Sequence, residues 1–360
     1  MELLHPYFRN RNVIDLYIRV DANSDIGMGH LSRCLTIAEQ AKSSGFNVTF
    51  LSGSPAVAER ASASDFLFEE LDQSRFIEVE IPAVHKILEK GSSDKKVLLI
   101  DTYQITENYI SAFADIAKIV YLGSKQIASN SINLVINYSC TAKKNFYTQH
   151  CPNSKLCLGI QYAPLREDFW IKQKSSSDRN NRVLITAGGS DTANITYSIL
   201  NTLIKEPHLS SYTFETIIGP LNPNKSLLVD AFGDKKNIEL RINERNMAKR
   251  MDNCAYAISA SGTTLYELAA KRIPTVAFAL NAEQEPDAKG FHNLGLLHYS
   301  GTLGPLSMDL LISKIKENLL YILANKEEVD RINRQQYKLL PENGTKKIVT
   351  AIKDLWKATQ

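Results

Sequence analysis

Arg19-Val20-Asp21-Ala22-Asn23-Ser24-Asp25-Ile26-Gly27-Met28-Gly29-His30 is the stretch whose reading fixes the fold class. Ahead of it, residues 13–20 form a β-branched apolar run of strand length. Behind it, Leu31, Cys34, Leu35 and Ala38 follow the i, i+3, i+4, i+7 spacing of a helix that Gly45 stops. A strand, a polar loop with two glycines one residue apart, and a helix make the opening of a βαβ unit. The glycines allow a tight turn, and the helix N-terminus behind them offers amide donors and a positive dipole end to a polar or anionic ligand. The third glycine of the dinucleotide fingerprint is missing, since Arg33 and Cys34 occupy its neighbourhood, so NAD is disfavoured. His30 stands at the mouth of the loop, where an imidazole can take a proton from water or a hydroxyl near neutral pH. Taken alone, Gly-x-Gly-His fits two readings: a structural turn with a capping histidine, and a catalytic base.

The same alternation extends in both directions. Residues 47–51, 96–100, 118–122 and 134–136 read as further strands rich in Val, Ile and Leu. Residues 172–182 carry almost no core-forming side chains and read as a linker. The pattern then restarts with a strand at 183–186, a Gly188-Gly189 turn and a helical run over 193–204. Strands at 214–218, 239–242, 256–259 and 275–280 follow, with helical patterns at 245–251, 264–271 and from 308 to the C-terminus. The expected architecture is α/β: two Rossmann-like doubly wound domains, residues 1–171 and 183–360, facing a cleft, with the last helix a candidate to pack back on the first domain. Such sheets bind ligands beyond the carboxyl ends of their strands, so the chemistry is sought in those loops.

Composition narrows the function. A length of 360 residues makes two domains the expected count, and 44% hydrophobic with 22% charged residues excludes a disordered or collagen-like chain. Forty-two basic against 39 acidic residues leave a net charge of only +3, too little excess for a phosphate backbone, so no nucleic-acid partner is expected. No run reaches the roughly 18 apolar residues of a membrane span, and the chain is not expected to be an integral membrane protein. Residues 1–20 lack the apolar core and cleavage site of a signal peptide. The five cysteines form no CxxC pair, and His5, His85, His150, His208, His292 and His298 share no metal-ligand spacing. A cytoplasmic protein, monomeric or weakly oligomeric, with no metal and no cofactor, is the resulting expectation.

Two loops in the second half repeat the first loop's logic. Gly188, Gly189, Ser190 and Asp191 open the second domain, where backbone amides can face a phosphate or a uracil edge, or where Ser190 or Asp191 simply caps the helix. In Ser261-Gly262-Thr263-Thr264-Leu265-Tyr266-Glu267, small residues let a diphosphate approach a helix start, and Glu267, one turn in, can accept hydrogen bonds from ribose hydroxyls. The structural alternative is a capping arrangement in which Glu267 only favours the first turn.

These loops, with Ile100-Asp101-Thr102-Tyr103 and Tyr162-Ala163-Pro164-Leu165-Arg166-Glu167, resemble in the right order the UDP-2,4-diacetamido-2,4,6-trideoxy-β-L-altropyranose hydrolases of pseudaminic acid biosynthesis, a family that includes spore-coat polysaccharide proteins. The resemblance spans about residues 13 to 300. It implies a GT-B fold like that of the glycosyltransferase MurG, with nucleotide bound by the C-terminal half. It also implies that His30 activates water for an inverting, metal-free attack at the anomeric carbon, with Tyr103 lining the sugar site. Arg19, Asp21, Asn23, Gly27, Gly29, Asn137, Glu283 and Gln284 would serve the substrate. Gly188, Gly189, Ser190, Asp191, Ser261, Gly262, Thr263, Thr264 and Glu267 would serve the UDP.

The departures fall mainly on the sugar side. Asp101-Thr102-Tyr103 stands where the family has Asp-His-Tyr, Gly123-Ser124 where it has Asp-Asp, Glu283-Gln284 where it has Asn-Gln, and Ser139 replaces an asparagine while Asn137 is kept. This implies a retained UDP-sugar donor with an altered sugar or acceptor. Beside the hydrolase stand a glycosyltransferase that uses a sugar or lipid-linked acceptor, and a nucleotide-sugar binding module without turnover.

Overall fold

The computed structural model describes residues 13–22, 29–72, 76–171 and 181–357. Asn23, Gly27 and nearly all of the expected linker lie outside the described residues. The chain divides into two compact units, Met1–Arg166 with Asn343–Gln360, and Glu167–Glu342.

The first unit holds seven strands, β1 (Ile14–Val20), β2 (Asn47–Ser52), β3 (Leu67–Glu70), β4 (Lys95–Asp101), β5 (Lys118–Leu122), β6 (Ile132–Asn137) and β7 (Lys155–Leu158), all parallel in the order β3-β2-β1-β4-β5-β6-β7. The second holds six, β8 (Arg182–Thr186), β9 (Thr213–Ile218), β10 (Ile238–Ile242), β11 (Tyr256–Ala260), β12 (Thr275–Ala279) and β13 (His298–Thr302), parallel in the order β10-β9-β8-β11-β12-β13. Three of these strands, β3, β7 and β13, are absent from the sequence reading. Each is a sheet edge of four or five residues, partly exposed, where no continuous apolar run is required.

Strand β1 is buried along its whole length. Its even residues Ile14, Leu16, Ile18 and Val20 join one core beneath the helix Gly29–Ser43, while Tyr17 faces a second core on the other side of the sheet. The helical pattern expected from residue 308 to the C-terminus is three helices, Met308–Ala324, Lys326–Leu339 and Gly344–Lys353. Asparagines divide it. Asn325 accepts from the amide of Glu328 and Asn343 from those of Thr345 and Lys346, each starting a new helix.

The last of these helices belongs to the first unit, where Ile348, Val349 and Ile352 share the core of Leu31, Leu35 and Ala38. Its start lies against the loop of Tyr162-Ala163-Pro164-Leu165. A Cβ on Gly344 would stand 2.6 Å from the Ala163 carbonyl oxygen and 2.9 Å from its nitrogen, and Thr345 Oγ1 donates to the Leu165 carbonyl at 2.8 Å. Gly344→Ala is therefore expected to cost about 1–3 kcal/mol of overpacking, lowering the melting temperature by several degrees in calorimetry. Among the described residues no helix is long and apolar enough to cross a membrane.

Candidate functional site

Each sheet has one point where the strand order reverses, β1/β4 in the first unit and β8/β11 in the second, and ligands of open α/β sheets bind beyond the carboxyl ends there. At the first of these points Asp101 ends β4, paired with Val20. Val97 and Leu99 join the core under the helix Gly29–Ser43 while Leu98 and Ile100 face the other core, so the two-residue period aims Asp101 at that helix.

On the helix, His30, Arg33 and Cys34 share a face at i, i+3 and i+4, and all three reach the buried Asp101 carboxylate. His30 Nδ1 lies 2.6 Å from Oδ1. Arg33 donates from Nε to Oδ2 at 2.6 Å and from Nη2 to Oδ1 at 2.5 Å, and Cys34 Sγ donates to Oδ2 at 3.3 Å. Burial works to raise the pKa of Asp101, but the charge and hydrogen bonds of Arg33, then those of His30, outweigh it and hold the carboxyl below its ordinary value. Burial and the same carboxylate push the Cys34 thiol well up, so it stays protonated. An ionised carboxylate only accepts, which places the ring hydrogen of a neutral His30 on Nδ1 and its lone pair on Nε2. Tyr103 packs edge-on to the imidazole at 4.7 Å between ring centroids and is 59% exposed.

The opposite face of the same strand end carries a second network. Buried Arg19 forks onto Glu80 at 2.7 and 2.6 Å and donates to Asp21 Oδ1 at 2.5 Å. Thr102, which stands where the resembled family has histidine, donates to Asp21 Oδ2 at 2.5 Å. Arg19 is thus spent on positioning Asp21. Gly29 begins the helix Gly29–Ser43. Asn137 is buried and shapes its own loop, accepting from the Ser139 amide at 3.1 Å and donating to the Tyr147 hydroxyl at 3.1 Å.

In the second unit the two candidate loops differ. The Asp191 carboxylate accepts from the amides of Ile195 at 2.9 Å and Thr196 at 3.2 Å, so it already occupies the start of the helix Ile195–Leu203. Gly188, Gly189 and Ser190 are exposed. Across from them, the helix Thr263–Ala270 begins after Gly262 with no side chain capping it. Ser261 is buried and gives both its amide and its hydroxyl to the Phe278 carbonyl, each at 2.8 Å. A Cβ on Gly262 would meet nothing within 4 Å. Thr263 is exposed, and Thr264 and Glu267 are half-buried. Glu283 is exposed, whereas Gln284 folds back to accept from the Leu280 amide at 3.0 Å.

Four residues of these sites carry no role in the sequence reading. Asp101 and Arg33 were legible as an acid at a strand end and a base one turn beyond His30. Gly219 packs so closely that a Cβ would lie 2.3 Å from the Gly189 oxygen; Gly219-Pro220 after a strand was its signal. Glu80, distant in sequence from Arg19, had none.

The class these sheets define is GT-B. Acinetobacter baumannii MurG superposes with a TM-score of 0.66 over 95% of this chain and 99% of that one, at 13% identity, a likeness of fold. No protein-family model matches the chain. Among curated relatives, a Campylobacter jejuni protein named UDP-2,4-diacetamido-2,4,6-trideoxy-β-L-altropyranose hydrolase is 25% identical over 254 residues, 69% of this chain and 85% of its own. An uncharacterised protein of Methanocaldococcus jannaschii is 22% identical over 282 residues, 74% of this chain; the match spans about half, 56%, of that relative's length.

Proposed function

We propose that the protein hydrolyses a UDP-linked 2,4-diacetamido-2,4,6-trideoxyhexose at the anomeric carbon, releasing UDP, in the making of a pseudaminic-type acid or a surface polysaccharide. The observation that carries the reading is the His30–Asp101 pair at a sheet switch point, in a chain similar to a named hydrolase of that substrate. In the proposed step His30 Nε2 takes a proton from water as the water oxygen bonds to the anomeric carbon. The bond from that carbon to the diphosphate oxygen breaks with inversion, and the electron pair leaves on UDP. Asp101 stabilises the imidazolium that forms. Tyr103 and Asp21 contact the sugar, with Arg19 and Thr102 holding Asp21.

The diphosphate is assigned to Gly262, Thr263 and Thr264 rather than to Ser261, whose amide and hydroxyl both go to the Phe278 carbonyl, or to the Asp191 loop, because the helix at Thr263 is uncapped while Asp191 already fills the other. A donor aimed at the departing charge is worth about 3 kcal/mol. Glu267 takes the ribose, and the 188–190 backbone the remaining nucleotide contacts. The helix amides meet the diphosphate charge without a metal, so EDTA is expected to leave turnover unchanged.

Gly262 has an extended backbone and free space, so Gly262→Ala is expected to leave the melting temperature unchanged and to weaken UDP binding at least about tenfold, read by calorimetry. Glu267→Ala is expected to weaken UDP in the same direction with the fold intact. A glycosyltransferase is the second reading, favoured by Thr102, which turns to Asp21 where the resembled family presents histidine. Mass spectrometry of products from a panel of UDP-sugars, with and without acceptor alcohols, separates the two. UDP release in water alone supports hydrolysis, and release only with an acceptor supports transfer.

A further inference from the structure

We propose that Arg33 is a positioning residue that keeps the His30–Asp101 pair one proton short, so that His30 Nε2 holds a lone pair in the resting protein. The inference rests on reading His30 as the base. Asp101 is 1% exposed, and a carboxylate so placed is stable as an anion only with strong partners. Among the described residues, the groups facing the pair can be named element by element. From the helix Gly29–Ser43 come His30, Arg33 and Cys34. From β5 comes Tyr121, whose hydroxyl is turned away to the Lys125 carbonyl at 2.8 Å. Beyond β4 lies Tyr103, against the His30 ring, and beyond β6 lies Tyr138. Asp21 is held by Arg19 and Thr102. Among the described residues, Arg33 is the cation bonded to Asp101.

Its geometry suits that role. Nε and Nη2 fork onto the two carboxylate oxygens, and Nη1 donates to the Tyr138 hydroxyl at 3.0 Å, with the guanidinium 5.7 Å from the centre of that ring. The plane of the fork is therefore fixed. Nη2 also stands 3.1 Å from His30 Nδ1, so a protonated ring would face a second positive charge at once.

Without Arg33 the buried carboxylate loses its main partner, and the available relief is uptake of a proton by the pair. Where that proton settles does not change the outcome. On the carboxyl, its O–H donates to Nδ1 and the ring hydrogen moves to Nε2. On the ring, both nitrogens carry hydrogen. Either way the lone pair that activates water is gone.

The test is ¹⁵N NMR of the histidine rings near pH 7.5, with His30 assigned from the His30→Asn spectrum, for the parent, Arg33→Gln and Arg33→Lys, alongside kcat and KM against pH. The parent is expected to show a bare Nε2. Arg33→Gln is expected to show a protonated Nε2 and a kcat lower by about 10- to 100-fold, part of what a general base contributes, with a smaller change in KM and a loss that shrinks as pH rises. Arg33→Lys keeps the charge but not the fork, so it should fall between the two; it is also the variant to read where the glutamine variant does not fold. In an Asp101→Asn background, Arg33→Gln should add no further protonation. A bare Nε2 in Arg33→Gln, a loss equal at every pH, or an Arg33→Lys protein indistinguishable from the parent in both readouts would overturn the proposal. The NMR arm needs no turnover. If His30→Asn keeps parental activity while Arg33→Gln protonates Nε2, it is the assignment of His30 as base that fails, and the inference about the pair stands.

Discussion

Replacing His30 by asparagine is expected to lower turnover by about 10²- to 10⁴-fold while UDP affinity barely moves. Asparagine remains polar and can still donate toward Asp101, but it cannot take up a proton. The nucleotide is assigned to the second unit, so its binding is not expected to follow His30. The acidic limb of the kcat/KM profile, which reports protonation of the base, should vanish in the variant. A purely structural His30 predicts activity within a few-fold of the parent, because asparagine keeps a donor toward Asp101.

The second large effect concerns Asp101. Asp101→Asn removes the acceptor that fixes the His30 tautomer and is expected to cost about 10²- to 10⁴-fold in kcat. It also leaves Arg33 part-buried without its ion-pair partner, a change that typically costs about 3–5 kcal/mol, so a clear drop in melting temperature should accompany it. The pH dependence of stability follows from the lowered carboxyl. The folded chain binds that proton less readily than the unfolded chain, so the Asp101 contribution is complete above the unfolded value of about 4 and is lost as pH falls through the lower folded value. Below about pH 4 the parent should therefore lose stability more steeply than Asp101→Asn, as thermal melts across pH 2–6 would record.

Much of this arrangement is written in local sequence. The strand, glycine loop and helix around residues 13–45, and the restart at residue 183, are local patterns of period two and 3.6 that neighbouring residues determine, and the core strands of both sheets follow from them. The edges β3, β7 and β13 do not, because a short, half-exposed strand needs little apolar pattern of its own and takes its place from the neighbour it pairs with. The places where the C-terminal helical stretch divides are set by Asn325 and Asn343, whose side chains cap the helices that follow them.

The site divides in the same way. Tyr103 is legible because it follows the end of β4 by two residues, His30 because it opens the helix after the glycine loop, and the helix start at Thr263 from its small residues. The Arg19–Glu80 fork joins residues 61 apart, and the Asp101 cluster joins residues about 70 apart. The Asp101 cluster exists only once the sheet has set β1 and its helix beside β4, and the fork only once the turn Ile77–Glu80 has come against β1. Asp191 shows the limit from the other direction. The same residue type suits a ligand contact or a cap, and only the bonds to Ile195 and Thr196 reveal the cap.

Hydrolysis in oxygen-18 water tests the central claim most directly. Attack of His30-activated water on the anomeric carbon places the label in the released sugar and none in UDP, detected by mass spectrometry of both products in a single turnover. Label in UDP would mean that water attacks phosphorus instead, and no UDP release from any diacetamido-trideoxyhexose donor would remove the hydrolase reading altogether.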